Sequence, residues 1–414
     1  MMNFTSLALS QPLIKAVSLL GYQTPTAIQQ QAIPAILANR DIMAGAHTGT
    51  GKTAAFALPI LQRLSCHPAT GIRALVLTPT RELAQQVHKS FISYGQFTPL
   101  NTALVYGGVS IIPQISALNE DVDILIATPG RLLDHLMKGS VNLSALEYLV
   151  FDEADRILDM GFKAEIDNIM KHIPEQRQTL LFSATFDDAI FKLSKTLLND
   201  PQLIEVTERN TVATAVEQIV YSVDADRKRE LTSHLIGMKN WQQVLIFTRT
   251  KLAADLLAKE MCKDGIKTLA IHGDKSQGAR EKSLAEFKQG KCRALVATDV
   301  AARGLDIVDL KYVINFELPY VAEDYVHRIG RTARAGKSGL AVSLLSPSEE
   351  WLLTAIEETL NYRLLQQWLP GYEPDLNKVT QPKKSGEKQR ARKRLLSDPK
   401  DKHKQRRKRP ANRR

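Results

Sequence analysis

Short apolar runs alternate with helical patterns along most of the chain, and this alternation constrains the fold more than any other feature. The first half carries "DIMAGA", "RALVLTP", "TALVYGG", "DILIATP", "YLVFDEAD" and "TLLFSAT". The second carries "QVLIFTRT", "KTLAIHG", "RALVATD", "YVINFELP" and "GLAVSLLS". Between them lie stretches such as "RELAQQVHKSFISYG" and "KLAADLLAKEMCKDG", where apolar residues recur at helical spacing. Runs of Val, Leu, Ile and Phe without polar alternation suit strands covered on both faces. Strand-helix alternation predicts an α/β fold with a mainly parallel sheet flanked by helices, and here it occurs twice. A chain of 414 residues is also long for one domain. The expected division is a first unit over 1–206, a linker over 207–216 ("TERNTVATAV"), a second unit over 217–372 and a tail over 373–414.

Charge is distributed unevenly. Residues 378–414 hold 17 Lys and Arg against Glu387, Asp398 and Asp401, a net +14, which leaves −3 of the chain's +11 for the rest. Such a basic, apolar-poor segment is expected to be disordered and to attract phosphates. No 18-residue apolar run is present, so no membrane span is expected. The start "MMNFTSLALSQPLIKAV" lacks a basic region followed by an apolar core, so a secretory signal is not expected and cytoplasm is the default. Cys66, Cys262 and Cys292 are widely spaced and suit a reducing compartment without a disulfide or zinc framework.

Two motifs at strand ends carry chemistry. "AHTGTGKT" (46–53) follows one strand-like run and opens a helical one, the context of a phosphate-binding loop. Thr48, Gly49, Thr50 and Gly51 bring backbone amides to phosphate, Lys52 supplies a point charge, and the Thr53 hydroxyl suits Mg²⁺. The second motif, "YLVFDEADRILDMGF", starts at Tyr148 and places Asp152, Glu153 and Asp155 directly after a buried run. Uncompensated buried carboxylates are costly, so the cluster implies a positive partner. Asp152 is expected to hold Mg²⁺ through water, and Glu153 to activate the attacking water as general base. Upstream, "GYQTPTAIQ" offers Gln29, whose carboxamide can pair with adenine, and Tyr22 and Phe4 can stack on the ring.

With these motifs stand "PTREL" (79–83), Gly107-Gly108, "TPGR" (128–131), "SAT" (183–185), "FTRT" (247–250), "QGAR" (277–280), "TDVAARGLD" (298–306) and "HRIGRTARAG" (327–336). The set, in this order from about Phe4 to about Tyr372, resembles the DEAD-box ATP-dependent RNA helicases of superfamily 2, and within them the bacterial RhlE-like subgroup. That resemblance implies two tandem RecA-like domains, ATP and Mg²⁺ as ligands, and RNA contacted without base specificity. It implies an RNA path lined by Thr80, Arg81, Gly108, Thr128 and Arg131 on the first domain. On the second domain the path would be lined by Arg249, Gly273, Gln277, Arg280, Thr298 and Gly304. Ser183 and Thr185 would couple hydrolysis to strand separation, and Asp306 would reach the ribose. Arg331 and Arg334 would act as arginine fingers, while His327 and Arg328 would stitch the closed interface.

The function so implied is RNA-dependent ATP hydrolysis that separates short duplexes or remodels RNA–protein complexes. Ribosome precursors or an RNA-degrading complex are the expected partners, and a monomer is the default. The rival readings are an ATP-gated RNA clamp or RNase-recruiting adaptor and, second, a DNA helicase of the same superfamily. Two residues depart from the family pattern: His47 replaces the usual Gln, and Ala333 replaces a Gly.

Overall fold

A computed structural model describes residues 3–45, 50–67, 69–186, 188–205, 216–302, 307, 310–332 and 339–375. In the first half, seven short strands form one sheet: β1 (Ile42–Gly45), β2 (Ala74–Leu77), β3 (Thr102–Val105), β4 (Ile124–Ala127), β5 (Tyr148–Phe151), β6 (Gln178–Ser183) and β7 (Gln202–Glu205). Their order across the sheet is β3-β4-β2-β5-β6-β1-β7. The second half repeats this with β8 (Val216–Ser222), β9 (Val244–Thr248), β10 (Thr268–Ile271), β11 (Ala294–Thr298), β12 (Tyr312–Asn315), β13 (Gly339–Leu345) and β14 (Leu365–Gln367). Its order is β10-β11-β9-β12-β13-β8-β14, the same permutation with every number raised by seven. All pairings in both sheets are parallel. This is the tandem RecA-like architecture.

The sequence runs anticipated eleven of these strands. They did not anticipate β7, β8 and β14. β7 and β14 are sheet edges with exposed positions, and β8 is broken by Glu217 and Gln218, so none reads as a buried run. The expected linker falls almost wholly in 206–215, and the basic tail beyond Asp375; both lie outside the described residues.

Apolar layers cover both faces of each sheet. In the first domain the helix Lys52–Cys66 is buried along most of its length, with Phe56 tilted against Phe91 and Phe182 at ring separations of 6.1 and 5.2 Å. That packing anchors the start of the helix at the end of β1. Because every strand runs the same way, all carboxyl ends share one edge of the sheet, where ligands of such folds bind.

Register extends the repeat to single residues. Leu77 lies opposite Ala127 and Phe151, as Phe247 lies opposite Ala297 and Asn315. Thr78 and Thr80 therefore correspond to Thr248 and Thr250. In both turns the first Thr hydroxyl donates to the second Thr carbonyl, at 3.3 and 3.4 Å. The second Thr then caps the next helix, accepting from Leu83 N at 3.2 Å and from Ala253 N at 3.1 Å. By the same register Thr128 corresponds to Thr298, and Gly107 to Gly273.

Candidate functional site

At the carboxyl end of the first sheet, β6 lies between β1 and β5, so the phosphate-loop strand and the Asp152 strand flank Ser183. The Asp152 amide continues the ladder by donating to Leu77 O at 2.9 Å, which holds the residue at the strand end. Its carboxylate is buried, and Oδ1 has no hydrogen-bond partner among the described residues. The Lys52 ammonium is likewise buried without a hydrogen-bond partner. Burial pushes Asp152 up to about 6, with the nearby Lys52 charge pulling the other way. Asp155 is also raised by burial, against the pull of Arg156 and Lys52. Glu153 differs: its carboxylate receives Arg156 Nη1 at 3.0 Å, and its backbone sits in the left-handed region at φ 55°. That conformation costs a non-glycine residue about 1–2 kcal/mol, which is tolerated where function needs the side chain aimed.

Gln29 is only 3% exposed. Its carbonyl accepts from Thr26 N at 2.9 Å, and its amide donates to Gly51 O at 3.1 Å. Gly51 has φ +89°, and a Cβ there would stand 2.3 Å from the Gln29 amide nitrogen. Gln29 thus packs directly on the phosphate loop, keeping one N–H and one lone pair for a base. Phe4 is 4% exposed and Tyr22 is 40% exposed, with ring centroids 6.4 Å apart and planes at 28°. The outer ring is therefore Tyr22, and Phe4 backs it from the core. Ser183 Oγ donates to Thr185 O at 2.7 Å and accepts from Thr185 N at 3.3 Å, closing the "SAT" turn on itself. Thr50 and Thr53 are half-buried at the mouth of this site.

The expected RNA-path residues of the first domain follow β2, β3 and β4, the other half of the same edge. Gly108 has φ +80°, and a Cβ there would lie 2.0 Å from Arg81 Nη1, so the bare glycine is what lets the guanidinium lie across it. Arg131 Nη2 donates to Val109 O at 2.8 Å, bracing the Gly107-Gly108 loop, while its buried Nη1 has no hydrogen-bond partner among the described residues. The Thr80 hydroxyl is used as a helix cap, and Thr128 is buried at the start of the helix Pro129–Met137.

The second domain presents Arg249, Gly273 and Thr298 at the ends of β9, β10 and β11. Arg249 Nη2 lies 2.7 Å from Glu349 Oε1 and 3.4 Å from Glu317 Oε1, and its guanidinium carbon is 4.8 Å from the Tyr320 ring centre. Gln277 Nε2 donates to Glu281 at 3.0 Å. A cleft of about 160 Å³ separates the helix Arg81–Gly95 from the helix Gln277–Lys288. Across it Arg280 Nη2 lies 2.6 Å from Glu82 Oε1, a near-buried ion pair whose angle is poor for a hydrogen bond. Gln85 Nε2 donates to Glu281 Oε1 at 3.1 Å beside it.

A family model described as DEAD/DEAH box helicase matches residues 26–193, and one described as Helicase conserved C-terminal domain matches residues 227–336. The DEAD-box ATP-dependent RNA helicase CshA of Geobacillus kaustophilus is 40% identical over 364 residues, 88% of this chain and 78% of that one. The chain belongs to the DEAD-box ATP-dependent RNA helicases. Among solved structures, S. cerevisiae Dbp5 bound to RNA and ADP BeF3 superposes with a TM-score of 0.80 at 28% identity, covering 89% of this chain and 96% of that one. A DEAD box protein from the hyperthermophile Methanococcus jannaschii is more alike in sequence, at 40%, but superposes with a TM-score of only 0.52 over 89% of this chain and 99% of that one. The Arg280–Glu82 pair joins the two domains of the helicase across the cleft.

Two arginines of the motifs have protein partners. Arg328, expected to stitch the closed interface, here grips Asp299 at 2.6 and 2.7 Å and also donates to Asn315 Oδ1 and Glu317 O. All these partners belong to the second domain, because a buried guanidinium needs a local carboxylate and carbonyls to satisfy its donors. Arg280, expected on the RNA path, lines the cleft, and its charge meets Glu82 across it. Arg331 and His327 line a small cavity with Phe247, Asp299, Asp324 and Arg328, all second-domain residues. Thr48, Gly49, Gly304, Asp306 and Arg334 lie outside the described residues, as do His47 and Ala333.

Sequence reasoning missed Glu82, although it lies within "PTREL", because an acidic residue in a first helical turn reads as a complement to the helix dipole. It also missed Gln114, whose side chain clasps Tyr106 through N (3.2 Å) and O (3.1 Å) just before Gly107. A carboxamide in an amphipathic helix carries no sequence signal for such a role.

Proposed function

We propose that this helicase closes its two domains around ATP·Mg²⁺ and a single RNA strand, and that closure separates short duplexes by holding that strand in a shape its complement cannot follow. The observation that carries this reading is the pair of buried, unpartnered groups at the phosphate loop, Lys52 Nζ and Asp152 Oδ1. A buried cation and a buried carboxylate left unsatisfied at one strand edge suit a ligand that brings both negative charge and a metal. Thr53 and Asp152 would hold Mg²⁺, which when bound neutralises phosphate charge. Lys52 would meet the β/γ-phosphates, Glu153 would take the proton of the attacking water, and Arg331 and Arg334 would steady the transferring phosphoryl group. Tyr22 and the spare amide valences of Gln29 would select adenine.

The unpartnered Arg131 Nη1, together with Arg81 lying over Gly108, supports sugar-phosphate contact rather than base readout. Both ligands favour the closed arrangement, so each tightens the other's binding. Within the family we place the helicase in the bacterial RhlE-like subgroup on its motif wording, with ribosome precursors or RNA-degrading assemblies as partners in the cytoplasm. No helix among the described residues is long and apolar enough to cross a membrane.

The test is strand separation of a short RNA duplex alongside phosphate release, with DNA of the same sequence as control. RNA-stimulated turnover with duplex separation supports the reading. ATP-dependent RNA retention without turnover would favour the clamp instead. Removing residues 378–414 should weaken RNA binding broadly and flatten its salt dependence, each lost phosphate contact on a single strand contributing about 0.7 to the log-log slope. An unchanged slope would exclude the tail as a phosphate-binding arm.

A further inference from the structure

The sheet repeat gives the phosphate-loop lysine a counterpart. Lys52 is the first residue of the helix after β1, and Lys228 is the first residue of the helix Lys228–Met238 after β8, the strand in the same place in the second sheet. The register match places Phe316 and Glu317 after β12 where Asp152 and Glu153 follow β5. No glycine-rich loop precedes Lys228; the segment is "VDADR".

Lys52 Nζ has no hydrogen-bond partner among the described residues, but Lys228 is saturated. Its ammonium donates to Phe316 O at 3.2 Å, to Leu344 O at 2.7 Å and to the Glu349 carboxylate, using all three hydrogens. Glu349 Oε2 also accepts from Ser346 Oγ at 2.7 Å, and its other oxygen takes Arg249 Nη2. The Glu349 side chain thus stands where an anion would sit in the first domain, and it bridges a buried lysine to an arginine at the sheet edge. Burial works to raise Glu349, but Lys228 and Arg249 outweigh it and hold the carboxylate below its usual range. Arg249 Nη2 points inward to Glu349 and Glu317, and the Arg249 amide donates to Glu317 at 2.7 Å. Nε and Nη1 have no protein acceptor among the described residues, and the side chain is partly exposed.

We propose that Lys228 and Glu349 form an internal ion site, in the place of the first domain's phosphate site, that positions Arg249 to present Nε and Nη1 to an RNA phosphate. This rests on the reading of Arg249 as an RNA contact. A long side chain on a strand-end turn loses rotamer freedom when it binds; holding it in place beforehand removes that cost from the binding step. The buried ammonium in turn fixes the carboxylate, because its two carbonyl partners are strand ends that do not move independently.

The test compares four full-length proteins: wild type, Arg249→Ala, the pair variant Lys228→Met/Glu349→Gln, and the triple variant. The pair variant removes both charges, so neither is left buried alone. Thermal melts check folding. The readout is the poly-uridine concentration giving half-maximal ATP hydrolysis at saturating ATP. Arg249→Ala should raise it about tenfold, the lower end expected for a charge-assisted hydrogen bond. The pair variant should raise it by about five- to tenfold alone but by less than about twofold in the Arg249→Ala background, the non-additivity of residues acting through one another. Glu349→Asp, which keeps the charge but shortens its reach, is a milder second variant and should shift it about threefold, with the shift again absent without Arg249. A purely structural role would lower the melting temperature equally in both backgrounds and leave half-saturation unmoved. A pair variant and Glu349→Asp that both match wild type, or effects that multiply with Arg249→Ala, overturn the positioning role and leave Arg249 as a contact. A silent Arg249→Ala overturns the RNA reading of Arg249 and the positioning role with it.

Discussion

Lys52 and Lys228 occupy the same place in two copies of one fold, yet their surroundings are opposite. Lys52 lies near the buried Asp152 with no hydrogen-bond partner for its ammonium among the described residues, whereas Lys228 is enclosed by two carbonyls and Glu349. The first domain leaves these buried charged groups without hydrogen bonds, as the proposed ligand site requires. The second satisfies the same charge internally and is complete without one. The difference lies in the residues at the ends of the neighbouring strands: Asp152 and Glu153 after β5, but Phe316 and Glu317 after β12, with Glu349 reaching in from beyond β13.

The largest expected break in this comparison is at the matched glutamates. Glu153→Gln should slow ATP hydrolysis by about 10²–10⁴ while ATP and RNA still bind, so RNA is held more tightly with ATP than with ADP. Glu317→Gln, at the same register, should leave maximal turnover near wild type and raise the RNA needed for half-saturation. Phosphate release and RNA retention, measured on both, check the pair; normal turnover by Glu153→Gln would remove that residue from the chemistry.

The lysines come next. Lys228→Ala leaves Glu349 buried without its main partner and should cost about 3–5 kcal/mol of stability. Lys52→Ala removes a cation without a hydrogen-bond partner whose charge offsets the buried Asp152 and Asp155, so ligand-free stability should fall by less than for Lys228→Ala while ATP affinity is lost. Urea unfolding without nucleotide, with nucleotide binding in parallel, separates the two; equal destabilisation would mean that the sites are not opposites.

A smaller effect is expected at the glycines of the RNA path. Gly108→Ala forces a side chain into the left-handed region at about 1–2 kcal/mol and displaces Arg81, so RNA affinity should fall. At Gly273 the nearest atom to an added Cβ is Lys251 Cε, at an ordinary 3.6 Å, so Gly273→Ala should bind RNA within about twofold of wild type. Titration with single-stranded RNA decides, and a larger loss at Gly273 would show that RNA backbone itself fills the space there.

The smallest effect is in pH. In metal-free protein the Asp152 pKa is raised from 3.8 to about 6, so its contribution to stability is present below about 4 and is lost as pH rises through about 6. Asp152→Asn should therefore be more stable than wild type at pH 7, by a margin that shrinks on acidification through pH 6. Glu349 is lowered from 4.5, so its contribution is present above that value and is lost only as pH falls further. Glu349→Gln should be less stable than wild type at pH 7 and stay so at pH 5. Melting temperatures across this range check both signs.

Much of the chemistry was readable from residue order. A phosphate loop and a carboxylate cluster must each come directly after a buried strand to work, and both stretches carry that context in the sequence itself. Edge strands were not readable, since β7 and β14 are not buried runs. Nor were the partners of Arg280 and Arg328: an arginine in a motif reads the same whether it meets RNA, Glu82 across a cleft, or Asp299 in its own domain.

The sequence by itself determined two parallel α/β units, the order of their strand-end motifs and the residues proposed to bind ATP, because burial pattern and turn chemistry are local properties of the chain. Only the tertiary structure decided which charges are completed inside the protein. Lys228 and Glu349 stand 121 residues apart, and Glu82 and Arg280 meet across two domains. Whether a buried charge waits for a ligand or already has its counter-ion depends on where distant strand ends converge, and no local pattern records that.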